Sequence, residues 1–190
     1  AAPYSDLDAV ADITITGSGS TELATEIGTA DVDGDGIQDV LLSGGGAQGV
    51  YLFLGSTILS GGHELRVDDA DYFFSGASSY VAVAGAGDID GDGLEEVLIG
   101  DYTATVGDHN FAGITYLFFG SSLASDREIP LSDADYTILG EEEYGYLGQG
   151  ITSAGDVDGD GFEDIIIGES GINGLAGATR LFLASSLGFD

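Results

Sequence analysis

Basic residues are almost missing from this chain. Only 3 Lys+Arg stand against 34 Asp+Glu in 190 residues, for a formal net charge of −31. A field of that sign repels phosphate backbones and anionic headgroups, so nucleic acid and membrane surfaces are excluded as partners, while cations are attracted. Cysteine is absent, which excludes a disulfide scaffold, a thiolate metal site and a cysteine nucleophile. Proline is scarce, 2 residues against 33 glycines. With 43% hydrophobic residues, that balance points to turn-rich β structure around a real core rather than to disorder. No apolar run reaches the length of a membrane span, so no membrane insertion is expected, and no signal segment stands before Ala1, as in a processed or excised chain.

What is present in abundance is repetition. "DVDGDGIQDVLLSG" (31–44) recurs as "DIDGDGLEEVLIG" (88–100) and "DVDGDGFEDIIIG" (156–168). Downstream of each lie "GVYLFLGS" (49–56), "GITYLFFGS" (113–121) and "GATRLFLAS" (177–185). Between units, "DADYFFSG" (69–76) matches "DADYTILG" (133–140), with "VADITITG" (10–17) as a looser copy. Residues 1–9 read as a lead-in, followed by three units over 10–68, 69–132 and 133–190.

Each unit holds four short strands. Ala- and Gly-rich segments such as "YVAVAGAG" suit a strand crowded by neighbours. "DVLLSG", "EVLIG" and "DIIIG" are continuous apolar runs, expected where both faces are covered. "VYLFLG", "TYLFFG" and "TRLFLA" combine aromatic and aliphatic residues of good β-propensity. No amphipathic helix of useful length interrupts them. The fold class is therefore all-β: β-propeller blades of four antiparallel strands, three in number. The chain opens with a fourth-strand segment and closes after a third-strand one. The strand at 12–17 is thus placed to complete the last blade or a neighbouring chain's. Propellers hold ~4–8 blades, so three imply part of a longer propeller or half of a homodimeric ring of about six.

The nine-residue acidic loops carry the chemistry. Acids fall at positions 1, 3, 5 and 9: Asp31, Asp33, Asp35 and Asp39; Asp88, Asp90, Asp92 and Glu96; Asp156, Asp158, Asp160 and Asp164. Glycines at positions 4 and 6 permit the positive φ that lets alternate side chains converge. The carbonyls at position 7, from Ile37, Leu94 and Phe162, supply a further oxygen. An all-oxygen set without His or Cys selects a hard cation, and a flexible ring of six to eight oxygens suits Ca²⁺ over Mg²⁺. Three calcium sites are expected, one per repeat. An EF-hand is excluded by Leu42, Ile99 and Ile167 at position 12 and by the missing helices. Ion-free Asp-Gly turns and a catalytic carboxylate pair are the other readings. Threefold identity of acid and glycine placement disfavours both.

These units resemble the FG-GAP repeat of the integrin α-subunit β-propeller and its bacterial relatives. The residues that carry the likeness are "YGYLGQGITSAGDVDGDGFEDIIIG" (144–168), "SSYVAVAGAGDIDGDGLEEVLIG" (78–100) and "TELATEIGTADVDGDGIQDVLLSG" (21–44). Here "YG" and "SAG" stand for the family's Phe-Gly and Gly-Ala-Pro, proline is missing from every copy, and the second loop ends in Glu96. The resemblance covers about 10 to 190. It implies calcium loops joining the first and second strands of each blade, opposite the usual ligand surface, and a role in adhesion or recognition outside the cell or on its surface.

On the opposite face fall the loops at 43–49, 100–113 and 168–177, with 76–80 and 140–146. Tyr102, Asp108, His109 and Asn110 in the longest are candidates for contact with a protein or glycan ligand. No G-x-S-x-G, Gly-Lys phosphate loop or His-rich zinc pattern appears, so no enzyme is expected. A carbohydrate-binding accessory propeller of a secreted polysaccharide-degrading enzyme, and a self-assembling structural repeat, are the alternative functions. The acids outside the loops, among them Asp68, Asp69, Asp71, Asp133, Asp135 and Glu141 to Glu143, read as a solvated surface or as adaptation to salt.

Overall fold

The computed structural model describes residues 11–17, 23–44, 49–78, 80–123, 127–172 and 176–188. The lead-in at 1–9 lies outside them, as do parts of the loops at 43–49, 76–80 and 168–177. Fourteen strands dominate, with helical turns at Gly55–Ser60 and Ala184–Leu187.

The strands form three consecutive antiparallel sheets. The first joins β2 (Leu23–Ala30), β3 (Asp39–Gly44), β4 (Gly49–Phe53) and β6 (Tyr72–Ser75). The second joins β7 (Ala82–Gly87), β8 (Glu96–Asp101), β9 (Ile114–Phe118) and β11 (Tyr136–Leu139). The third holds β12 (Leu147–Gly155), β13 (Asp164–Glu169) and β14 (Ala178–Phe182). These are propeller blades. Two short strands in the linkers were not foreseen: β5 (Glu64–Arg66) and β10 (Glu128–Pro130). β10 pairs in parallel with the outer strand β6, giving the first blade a fifth strand.

The same parallel pairing reveals what β1 (Thr14–Thr16) is. It lies on β5 just as β6 lies on β10. β1 is therefore a fourth strand without its own first three. Among the described residues it pairs with β5 and not with β14. The reason is local: Thr14 donates its N–H to the His63 carbonyl at 2.8 Å, and Thr16 its hydroxyl to Leu65 O at 3.2 Å.

Blades are held together by faces that alternate along each strand. Leu41, Val50, Leu52 and Phe74 of the first meet Val83, Val97, Ile99 and Phe118 of the second. Phe74 and Phe118 pack at a tilt of 54°, with ring centroids 4.8 Å apart. Leu98 and Leu117 point the other way, onto Leu147, Ile165 and Ile167 of the third blade. This double cover explains why every residue of β8 is buried. The inner strands approach so closely that a Cβ at Gly28 would lie 3.0 Å from Ala84 Cα, which accounts for their small residues. The third blade has such cover on one face only. Ile165 and Ile167 are buried, but Ile166 is half-buried and Leu181 is 45% exposed.

The two faces of the third blade should therefore respond differently to truncation. Ile167→Ala is expected to cost ~2–5 kcal/mol and Leu181→Ala about 0.5 kcal/mol or less, measured by urea unfolding in calcium. Equal losses would mean that the outer face is also covered in solution.

Candidate metal centre

In every blade the acidic loop joins the first and second strands, at one end of the sheet. The position-9 acid opens the second strand: Asp39, Glu96 and Asp164 are all fully buried. Glycines at positions 4 and 6 adopt φ values of 69° and 82°, 75° and 90°, and 82° and 99° in the three loops. That conformation folds the chain back over its own first aspartate. The N–H of Gly36, Gly93 and Gly161 donates to Oδ2 of Asp31, Asp88 and Asp156 at 2.9, 3.0 and 3.0 Å. Position 3 closes a tighter turn, accepting the N–H of position 5 at 3.2, 3.1 and 3.2 Å.

Three side chains converge in each loop. Single carboxylate oxygens of Asp31, Asp33 and Asp39 lie within 4.8 Å of one another. So do those of Asp88, Asp90 and Glu96, and of Asp156, Asp158 and Asp164. The position-5 acids are not in these clusters. Asp35, Asp92 and Asp160 each spend Oδ1 on the N–H of position 7, at 2.8, 2.9 and 2.9 Å. These bonds fix the turn from position 5 to position 7.

The position-9 acids show a second job. Asp39 takes the N–H of Val32 at 2.8 Å and of Gly55 at 2.7 Å, tying the loop to the helical turn after the third strand. Asp164 does the same with Val157 at 2.8 Å and Ala184 at 3.0 Å. Glu96, one methylene longer, takes only Ile89 N–H, at 2.6 Å. Its Oε1 is buried without a hydrogen-bond partner, as is Oδ1 of Asp31 in the first loop. A buried carboxylate oxygen without a donor is costly. Burial accordingly pushes Glu96 up to about 8, with the charges of Asp90, Asp88 and Asp92 adding to the effect and the Ile89 N–H opposing it. Asp39 and Asp90 are also raised, again chiefly by burial. Acceptor-only oxygens, crowded, partly buried and short of donors, fit a hard divalent cation.

The opposite end of the blades carries aromatic side chains. Phe111 stacks on Tyr144 and Tyr146, with centroids 5.7 and 6.0 Å apart. All three adopt positive φ, 53°, 58° and 57°, a conformation costing on the order of 1–3 kcal/mol for each non-glycine residue. The backbone holds them there: Tyr144 N–H donates to Asn110 O at 2.8 Å and Tyr146 N–H to Phe111 O at 2.9 Å. Tyr80 and Tyr102 stack at 6.4 Å over the junction of the first two blades. The sequence singled out Tyr102 and Asn110 but not this stack. Only the "NF" and "YGY" pairings hinted at it, and positive φ on an aromatic has no composition signal. His109 lies at a hairpin tip, exchanging backbone hydrogen bonds with Val106.

Stacked four-stranded blades with an acidic loop between the first two strands define a β-propeller repeat protein. The FG-GAP repeat profile matches residues 149–181, which span the third loop and most of its blade. Integrin alpha-4 of Xenopus laevis is 30% identical over 156 residues, covering 73% of this chain and 13% of that protein. Integrin alpha-5 of Xenopus laevis is 34% identical over 128 residues, 63% of this chain and 12% of that protein. The chain thus carries an FG-GAP repeat and is similar to integrin α chains, and it spans about an eighth of the length of these relatives.

The Glu96 site yields a pH test. A carboxyl that ionises near 4.5 when unfolded but near 8 in the folded, ion-free state favours folding below pH 4.5, and that contribution is lost as pH rises through 8. In chelator, the urea midpoint should therefore fall between pH 4.5 and 8.5. Glu96→Gln should flatten the fall and exceed the unsubstituted protein in stability at pH 8.5. A flat profile for the unsubstituted protein would show that Glu96 is ionised and partnered.

Proposed function

We propose that this chain is a calcium-binding β-propeller module for recognition or adhesion outside the cell or at its surface. The observation that carries the reading is the buried, donor-less Glu96 Oε1 beside Asp88 and Asp90, within an arrangement repeated in three blades. The ligands would be the position-1, -3 and -9 carboxylates, with position 5 and the position-7 carbonyls completing an oxygen shell. Calcium would supply the positive charge that these loops lack. The remaining interactions belong to the chain itself: glycine turns, Asx turns and the position-9 acid bias the oxygens toward one point, and the ion would complete their ordering.

Extracellular modules hold calcium at ~10⁻⁴–10⁻³ M. At 100 times Kd one independent site adds about 2.7 kcal/mol, and three would rival the whole stability of an ordinary domain. The ion is thus a structural rivet. The recognition surface lies at the opposite end, where rigid, half-exposed aromatics stand beside Asn110 and Glu143, which are hydrogen-bonded at 3.2 Å.

Two other readings have an observation in their favour. The Phe111–Tyr144–Tyr146 stack favours a glycan ligand, since flat aromatic faces with nearby amide and carboxylate groups suit sugar rings. The orphan strand β1 and the uncovered edge of β14 favour assembly with further blades or a second copy, because repeat units do not bury their faces alone. Among the described residues no helix is long and apolar enough to cross a membrane.

Chelation is the direct test. Adding EDTA should lower the melting temperature by more than about 10 °C, since each kcal/mol moves a domain of this size by ~2–4 °C. An unmoved melting curve would refute the calcium reading. Glycan-array binding that is lost in Phe111→Ala would select the carbohydrate reading, and a solution mass of two chains the assembly reading.

A further inference from the structure

Consecutive acidic loops are built into one another. The residue at position 8 of the following loop donates its backbone N–H to the position-1 carbonyl of the loop before: Glu95 to Asp31 at 2.8 Å, and Glu163 to Asp88 at 3.2 Å. The position-7 side chain of the following loop covers the position-4 glycine of the loop before. A Cβ on Gly34 would lie 2.7 Å from Leu94 Cδ2, and one on Gly91 2.5 Å from Phe162 Cε1. The position-8 carboxylates reach back as well. Glu95 Oε2 accepts the Asp31 N–H at 3.0 Å, and its Oε1 the Gln38 amide at 3.4 Å. The Glu163 carboxylate lies against Gly87, the residue before Asp88, and accepts the Ser153 hydroxyl at 2.5 Å. Neither Glu95 nor Glu163 belongs to the converging acids of its own loop.

We propose that Glu95 and Glu163 are positioning residues for the ion of the preceding loop, and that these junctions make adjacent calcium sites positively cooperative. The inference rests on the calcium reading above. Asp31 is gripped at both its N–H and its carbonyl by one residue of the second loop. The aim of its carboxylate therefore depends on residues 94–95 being ordered. Those residues are positions 7 and 8 of the second loop, directly before the position-9 acid, so an ion there orders them. The first ion to bind fixes the shared junction, and the next meets it preformed. The second loop takes part in both junctions, whereas the first and third share none.

Site-resolved calcium titrations by NMR test this. The amides of Gly36, Gly93 and Gly161 each donate to the position-1 carboxylate of their own loop and so report the three sites separately. Asp90→Ala removes a converging carboxylate of the second loop without touching either junction. It should weaken calcium at both the first and third loops by about 5-fold or more. Asp33→Ala should weaken the second loop by the same factor as Asp90→Ala weakens the first, because coupling is reciprocal, while affecting the third less. Glu95→Ala should uncouple the first two loops and leave the second and third coupled. If Glu95→Ala does not fold, Ser153→Ala, which releases the Glu163 carboxylate, should loosen only the second junction. Unchanged affinity at the first and third loops in Asp90→Ala would overturn the coupling while leaving calcium binding intact. Glycine amides that stay still at millimolar calcium in the unsubstituted protein would overturn both.

Discussion

Each loop of this protein must hold several like charges close together at the base of a hairpin. Two unit charges at 4 Å repel by ~4 kcal/mol at an effective dielectric of 20, so the arrangement needs compensation. Part of it is internal. In all three loops the backbone turns its N–H groups inward, and carboxylates at positions 1, 3 and 5 each accept at least one. These partial positive charges offset the repulsion without removing it: burial chiefly raises Glu96 and Asp90, and the neighbouring carboxylates raise them further. What remains is a cluster of acceptor oxygens whose charge is unbalanced. A divalent ion would balance it and complete the ordering of the loop.

The position-9 acid links that electrostatic problem to the packing of the blade. It begins the second strand, the one most deeply buried, and in two blades it also staples the turn after the third strand. The loop therefore sits on the same framework that presents Leu41, Leu98 or Ile165 to the interblade core. Aspartate has room for two backbone donors on opposite sides. Glutamate at position 96 accepts the Ile89 N–H with one oxygen and leaves the other without a donor. A single methylene thus separates a satisfied staple from an oxygen that calls for a cation.

Much of this was legible in the sequence because the same constraint was written three times. The acid and glycine spacing specified the turn, and continuous apolar runs specified strands covered on both sides. Local pattern was silent where pairing is decided at a distance. The linker strands β5 and β10 are too short to register, so their parallel pairing with β1 and β6 had no local signal. Position 5 counts as a ligand by spacing alone, yet its first oxygen is taken by the chain. Glu95 and Glu163 carried no local signal, because Asp31 and Asp88, which their backbones hold, lie a whole repeat away.

Part of the acidity outside the loops has a local structural role. Asp71 accepts the Leu54 N–H at 2.8 Å and the Thr57 hydroxyl at 2.9 Å. Asp135 repeats this one blade later with Phe119 N–H at 2.8 Å and Ser122 hydroxyl at 2.9 Å. Asp69 holds the Arg66 N–H at 2.8 Å. The repeated Asp-Ala-Asp therefore pins the start of each fourth strand to the turn after the third. Short carboxylates accept backbone N–H groups more strongly than neutral side chains do. A propeller of short strands has many chain reversals, and each exposes such donors. This chain meets them with aspartate rather than with serine or asparagine. The net charge that results is the same field that would draw calcium to the three loops.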